Sequence, residues 1–271
     1  MTEPWTIHKK TPRDLLIDIF LFIPGLFQDL DASKHYPADT QDRIKAHLVR
    51  ECIHVQDRLQ RWHDLYSATP HLATCDTEVP ETIKAHDIAV AHLMSIYWGT
   101  ALLCTTLLDN LLASLIDRPL LYTKLTPERL KTFNSDDLCR KIVNVVPVCL
   151  HPDAGMYRAN LIGLQLSVAT LHLSIVPITH MVPERMWLVH NLNKAECASL
   201  TDFVWSLKCV GAELYNPIER GPDGGAIPYD AMCQKYDLEG NLASLLSPEV
   251  PRMDGFGDGY PTQGLSSMAS R

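Results

Sequence analysis

Basic residues are the scarcer charge in this 271-residue sequence: 24 Lys and Arg stand against 32 Asp and Glu, giving a formal charge of −8. A surface that grips nucleic acid needs a basic face, so direct nucleic-acid contact is not expected. The opening Met1-Thr2-Glu3-Pro4-Trp5 lacks the basic start and apolar run of a secretory signal. The expected location is the nucleus or cytoplasm, not the outside of the cell. None of the eight cysteines (Cys52, Cys75, Cys104, Cys139, Cys149, Cys197, Cys209, Cys233) stands two residues from another, as zinc knuckles and redox motifs require. They read as reduced thiols, mostly small core residues. Also missing are a Gly-x-Ser-x-Gly elbow and a phosphate-cradling glycine loop, so nucleophilic and nucleotide chemistry have no motif to stand on. Sustained period-two alternation is absent too, which argues against β-structure.

What is present is helical. Hydrophobic residues make up 46% and charged ones 21%, ordinary globular usage that excludes disorder over most of the length. Thr11-Pro12-Arg13-Asp14 reads as a cap, a first-position proline and an acid at the positive end of the dipole, followed by Leu15, Leu16, Ile19, Phe20 and Ile23. Pro24-Gly25 is expected to interrupt that run. A second helix opens at Thr40, with Asp42 in its first turn. Ile44, Leu48, Cys52, Val55, Leu59, Trp62 and Tyr66 form its apolar stripe. Residues 67–87 read as a loop or short helices.

From Ile88 to Leu108, and again from Ala159 to Val182, no residue is formally charged. Either stretch is long enough to cross a bilayer. The interruptions at His92, Asn110, His172, Thr179 and His180, the lack of basic flanks and the mean hydropathy of −0.04 favour central helices buried on all sides, with no membrane. A shorter helix is expected from Ser135, with Asp136 and Asp137 in its first turn, ending before Pro147. Pro177 and Pro183 are expected to close or kink the segment that begins near Tyr157. Asn193-Lys194-Ala195-Glu196 has capping-box spacing and leads into Leu200, Phe203, Val204, Leu207 and Leu214. The fold class is therefore all-α, an irregular multi-helix bundle over residues 11–215.

Composition changes after Asn216. Gly221, Gly224, Gly225, Gly240, Gly255, Gly257, Gly259 and Gly264, most of the 13 glycines, fall there together with Pro217, Pro222, Pro228, Pro248, Pro251 and Pro261. Residues 216–271 are expected to form a largely disordered tail, because they bury too little apolar surface to offset ordering. Acids interleaved with Leu242, Leu245, Leu246, Met253, Phe256 and Tyr260 also suit a segment that folds on a partner.

Three constellations invite chemistry. His47, Glu51 and His54 share one helix face, with Arg58 a turn beyond, but they flank the apolar stripe where solvated residues belong and lack the His-Glu-x-x-His spacing of zinc hydrolases. Asp136-Asp137 suggests the acidic motif of terpene synthases. The next turn, however, offers Cys139, Arg140 and Lys141, and a helix N-terminus accounts for both acids. Asp109, Asn110, His172 and His180 are polar residues in apolar surroundings, expected to be satisfied by backbone carbonyls or one another in preference to lining a pocket. No catalytic, cofactor-binding or metal-ligating residue is assigned, and no cofactor is implied.

Three segments in succession carry a family resemblance. They are Arg13-Asp14-Leu15-Leu16-Ile17-Asp18-Ile19-Phe20 with Pro24-Gly25-Leu26, then Leu59-Gln60-Arg61-Trp62, then Ala91-His92-Leu93-Met94-Ser95-Ile96-Tyr97-Trp98-Gly99-Thr100-Ala101-Leu102-Leu103. Together they resemble the regulatory region of fungal binuclear zinc-cluster transcription factors, over roughly residues 11–215. The later helices at Gly163–Leu173 and Cys197–Leu214 fit its C-terminal half. The six-cysteine DNA-binding head has no counterpart before Cys52. The resemblance implies a transcription regulator of a metabolic pathway or secondary-metabolite gene cluster, the chain being a truncated factor, a headless paralogue that modulates an intact one, or the product of a misread gene. It would act through protein contacts, with an intact zinc-cluster factor or the transcription machinery, and through a small-molecule effector, as a homo- or heterodimer. The alternative is an all-α enzyme of small-molecule biosynthesis with its pocket between the two uncharged helices. A third reading is an integral membrane protein.

Overall fold

Thr11 starts the first helix as the sequence predicts. Its hydroxyl accepts the Asp14 N–H at 3.2 Å while the Asp14 carboxylate accepts the Thr11 N–H at 2.9 Å, so two orphan donors are satisfied reciprocally. Helix α1 (Pro12–Phe20) ends at Leu21, and α2 (Phe22–Ser33) begins at once. The structure is a computed structural model that describes residues 9–68, 81–115, 133–176 and 180–192. Pro24-Gly25 does not interrupt the helical run where the sequence suggested. Both residues lie inside α2, and the break falls one turn earlier. Proline lacks the N–H that would bond the carbonyl four residues back, and its ring crowds that carbonyl. The residue four back is Phe20, the last of α1.

Helix α3 (Ala38–Tyr66) starts two residues before the expected Thr40; of the expected stripe Leu48, Cys52, Val55, Leu59 and Trp62 are buried and Ile44 partly so, whereas Tyr66, in the last turn, is exposed. Helix α4 (Ala85–Ser114) begins inside the 67–87 segment expected to be a loop or short helices, and packs against α3 and two later helices. It is the one helix among the described residues long and apolar enough to cross a membrane, and 72% of that window is buried against the rest of the protein. Three threonines fit in so apolar a helix because each folds its hydroxyl onto the carbonyl four residues back. Thr100 reaches Ile96, Thr105 reaches Ala101 and Thr106 reaches Leu102.

Helix α5 (Ser135–Cys149) is capped by the Asn134 side chain, which accepts the Asp137 N–H at 2.9 Å. The helix does not stop before Pro147; it runs through it. One ladder bond is lost, a cost of about 3 kcal/mol. The buried Val148 and Cys149 that follow offset it, since full burial of a valine-sized side chain contributes about 1.5–3 kcal/mol. A 3-10 turn (Pro152–Tyr157) then corners through Gly155, whose φ of +66° favours glycine, into α6 (Arg158–Ile175). Helix α6 ends just short of Pro177, as expected. Pro183 neither closes nor kinks that segment. It sits in the first turn of α7 (Val182–Leu192), where its missing N–H costs nothing, after Met181 turns the chain at φ +52°.

The described residues are all helical and contain no strand, in line with the expected fold class. One apolar core runs from Leu16 to Leu192, with α4 at its centre, flanked by α3, α5 and α6. Cys52, Cys104, Cys139 and Cys149 are buried free thiols. The other four cysteines, the Asn193–Glu196 capping box, the helix through Leu214 and the 216–271 tail lie outside the described residues.

Candidate functional site

The polar residues singled out in the sequence separate in space. His47 and Glu51 lie on the open flank of α3, with Nδ1 and Oε1 3.9 Å apart and both side chains about half exposed, and His54 is exposed as well. No group of three or more His, Cys, Asp or Glu among the described residues is arranged to hold a metal. The solvated-flank reading fits this face. Asn110 turns its amide back onto the Thr106 carbonyl at 2.9 Å, and Asp109 is exposed beside it.

Asp136, His172 and His180, noted separately in the sequence, come together. The Asp136 carboxylate accepts the Nε2–H of His172 on one oxygen at 3.0 Å and that of His180 on the other at 2.7 Å. A carboxylate can only accept, which places both protons on Nε2. Partial desolvation raises the Asp136 pKa, but the bonds from His180 and His172 outweigh it and hold the carboxyl below its ordinary value. Arg185 of α7 continues the network, donating to the carbonyls of His180 at 2.8 Å, of Val176 at 3.1 Å and of Leu173. It thereby satisfies carbonyls at the end of α6 that have no helical partner. Across the same junction Arg140 donates to Glu184 at 2.7 Å. The nearby Cys139 thiol is buried, and burial first, then the Glu184 and Asp136 charges, push its pKa far up. A thiol so held is inert as a nucleophile. This cluster fastens α5, α6 and α7 together; the two histidines were expected to be satisfied by backbone carbonyls or each other, and it is the Asp136 carboxylate that pairs with both.

A second arrangement lies between the two uncharged helices, where the sequence placed a pocket under its enzyme alternative without naming the residues. Arg13, Ile17 and Phe20 fall on one face of α1; His92, Ile96, Thr100 and Leu103 fall on successive turns of α4; Gln165 and Val168 face them from α6. Between the three helices lies a cleft of about 130 Å³. Its walls are mainly aliphatic, with the single ring of Phe20 and a few polar groups, the usual make-up of a small-molecule site. Gly99 lines the cleft and lets Gln165 approach α4 closely. A Cβ there would stand 2.9 Å from Cγ of Gln165, so only glycine lets that side chain lie so close to α4.

Three uncharged polar side chains border the cleft: His92, Thr100 and Gln165. Gln165 is 7% exposed, and its Oε1 is buried without a hydrogen-bond partner among the described residues. His92 points Nδ1 at the Leu161 carbonyl, 2.8 Å away, so Nδ1 carries the proton and donates. Burial lowers the His92 pKa, the bond to Leu161 opposes this, and the positive charge of Arg13 adds to the lowering. The ring is therefore neutral near pH 7, with Nε2 an acceptor. Thr100 has spent its proton on Ile96 and keeps lone pairs. The exposed Arg13 is the one cation on the lining. His92 entered the sequence reading as an interruption of an apolar run and within a segment of the family resemblance, not as a cleft residue, and Gln165 was not singled out. The available signal was an amide and an imidazole inside two uncharged helices, each of which needs a partner once buried.

Comparison of the chain with protein-family models, with curated proteins and with solved structures gives no match.

Proposed function

We propose that this protein is an all-helical regulatory module of the zinc-cluster-factor kind, which controls expression of a metabolic or secondary-metabolite gene cluster. It works through protein contacts, with an intact zinc-cluster factor or the transcription machinery, and responds to a small effector. The observation that carries this reading is the meeting of the three segments that resemble that family. Trp62, at the end of the second segment, donates its indole N–H to the Pro12 carbonyl beside the first, at 2.8 Å. The same indole stacks on Tyr97 of the third, with ring centroids 5.5 Å apart and planes inclined by 22°. Their succession in sequence is thus one packing unit, as a shared module requires, and the cleft lies against two of the three segments.

A reporter assay tests the proposal. Residues 1–271 joined to a heterologous DNA-binding domain are expected to change reporter transcription several-fold in a fungal host. A full-length fusion that leaves the reporter unchanged overturns the reading. The second reading, an all-α enzyme, draws on the cleft between α4 and α6, where His92 would serve as a neutral base. Turnover of a small substrate that is lost in His92→Phe, with the reporter unaffected, would favour it.

A further inference from the structure

We infer that the cleft between α1, α4 and α6 binds a small unbranched monocarboxylate of hexanoate size, its alkyl chain between the helices and its carboxylate on Arg13. The inference deepens the effector role proposed above and rests on that reading for its biological meaning only.

The accessible part of the lining decides what a ligand would touch. Thr100 is 2% exposed and Gln165 7%, so these two polar side chains present almost nothing to the cleft. Apolar side chains supply the accessible surface: Leu164 is 40% exposed, and Ile17, Phe20 and Leu103 are partly buried. A single exposed leucine is ordinary, but apolar side chains from three helices around one concavity form a site for an apolar body. The volume of about 130 Å³ is slightly below that of the apolar cavities of about 150 Å³ that accept benzene. A short alkyl chain fits it, and nucleotides do not.

Arg13 adds the charge. It borders the cleft, and its guanidinium makes no hydrogen bond or ion pair with another described residue. The acids nearest to it along α1 are engaged elsewhere, Asp14 on the Thr11 cap and Asp18 on Lys10. Burial is the main cause of the lowered His92 pKa, and the Arg13 charge adds to it, which puts that charge within reach of α4 across the cleft. A guanidinium without a partner beside an apolar concavity favours an anion with an apolar body, and can hold a carboxylate through two parallel N–H bonds. With no second cation on the lining, one negative charge suits the site better than a phosphate dianion.

The charge stands at one end. Arg13 and Phe20 both border the cleft from α1, seven residues apart, a rise of about 10 Å. Hexanoate, extended and hydrogen-bonded at its head over about 2.8 Å, covers a comparable length. Its chain then lies along Ile17 and Leu164 toward Leu103 and Phe20.

The full chain, titrated with sodium hexanoate at neutral pH and followed by methyl NMR, is expected to show saturable 1:1 shifts of Ile17, Leu103 and Leu164. Affinity should lie in the range of a fragment-sized ligand, about millimolar. From butanoate to hexanoate, each added methylene should tighten binding about fourfold. Hexanamide keeps the chain without the charge, and should bind about fivefold more weakly. Arg13→Gln, at an exposed position, should weaken hexanoate about fivefold and leave hexanamide unchanged. Equal binding of hexanoate and hexanamide by the unaltered protein overturns the inference, and that comparison does not depend on any variant folding. So does butanoate binding as tightly as hexanoate, since a surface charge alone would then be at work. Shifts of the same methyls on concentrating the protein, with none on adding hexanoate, would also overturn it, because a second copy would then fill the cleft. Hexanoate binding with a silent reporter would remove the regulatory reading and leave the cleft assignment standing; an active reporter without binding would do the reverse.

Discussion

Trp62 and Pro12, fifty residues apart, are joined by a hydrogen bond of 2.8 Å from the indole N–H to the backbone carbonyl. The bond anchors the end of α3 to the first turn of α1, while the face of the same indole packs on Tyr97 of α4. Three helices therefore share one side chain that is 3% exposed. Trp62→Phe should keep a ring on Tyr97 but lose the bond and some volume, lowering stability by about 1–2 kcal/mol. Trp62→Ala should cost about 3–5 kcal/mol. Chemical denaturation read by far-UV circular dichroism checks both.

The two acids that open α5 should differ sharply when replaced. Asp136→Ala leaves the buried His172 without its partner and removes the tie to His180, an expected loss of about 1–3 kcal/mol. Asp137 pairs with Lys141 at 2.8 Å in the open, and Asp137→Ala should cost no more than about 1 kcal/mol. Equal losses in a denaturant titration would refute the assignment of Asp136 as the fastening residue.

Gly99 and Gly25 make a matched pair. Gly99→Ala drives a methyl against Gln165 and should destabilise by about 1–3 kcal/mol while altering the cleft. Gly25 lies in α2 with nothing within 4 Å of an added Cβ. Gly25→Ala should therefore stabilise by up to about 1 kcal/mol through helix propensity alone. Melting temperatures of the two variants should move in opposite directions.

Acid should weaken the fold in two steps. The unfolded chain protonates His92 near the ordinary value of 6.5, whereas the folded chain resists because burial lowers the pKa. Stability from this source is complete above pH 6.5 and is lost as pH falls from there through the lowered folded value. Asp136 acts further down. Its folded pKa lies below 3.8, so its contribution holds above that value and disappears as pH drops through the folded pKa. Denaturation midpoints measured against pH should fall less steeply in the first window for His92→Gln.

Metal analysis of the purified protein should find less than stoichiometric zinc, iron or nickel. The His47 and Glu51 groups are 3.9 Å apart on an exposed face, and among the described residues no further ligand converges on them. One equivalent of metal, lost in His47→Ala, would reverse this.

The residues divide by how far their causes reach along the chain. Thr11 with Asp14, and Asn134 with Asp137, are caps made within three residues, so the starts of α1 and α5 are written in short words of sequence. The stripe from Leu48 to Trp62 and the uncharged run inside α4 are periodic or continuous patterns, and they foretold a half-buried and an enclosed helix. Pro24 and Pro147 were harder to read. A proline weakens a helix by a fixed local amount, but whether the helix breaks depends on what its flanking residues bury, as Val148 and Cys149 do in α5.

The sequence by itself determined an all-helical body among the described residues, the polarity of its helix ends and the faces that must be covered. Only the tertiary structure decided that Asp136 meets His172 and His180, 36 and 44 residues away, and that α1, α4 and α6 leave a cleft with Gln165 over Gly99. Capping and periodicity act over one or two turns of backbone. Which side chains face each other across helices is set by how ridges and grooves of distant segments interlock, and no local pattern encodes that fit.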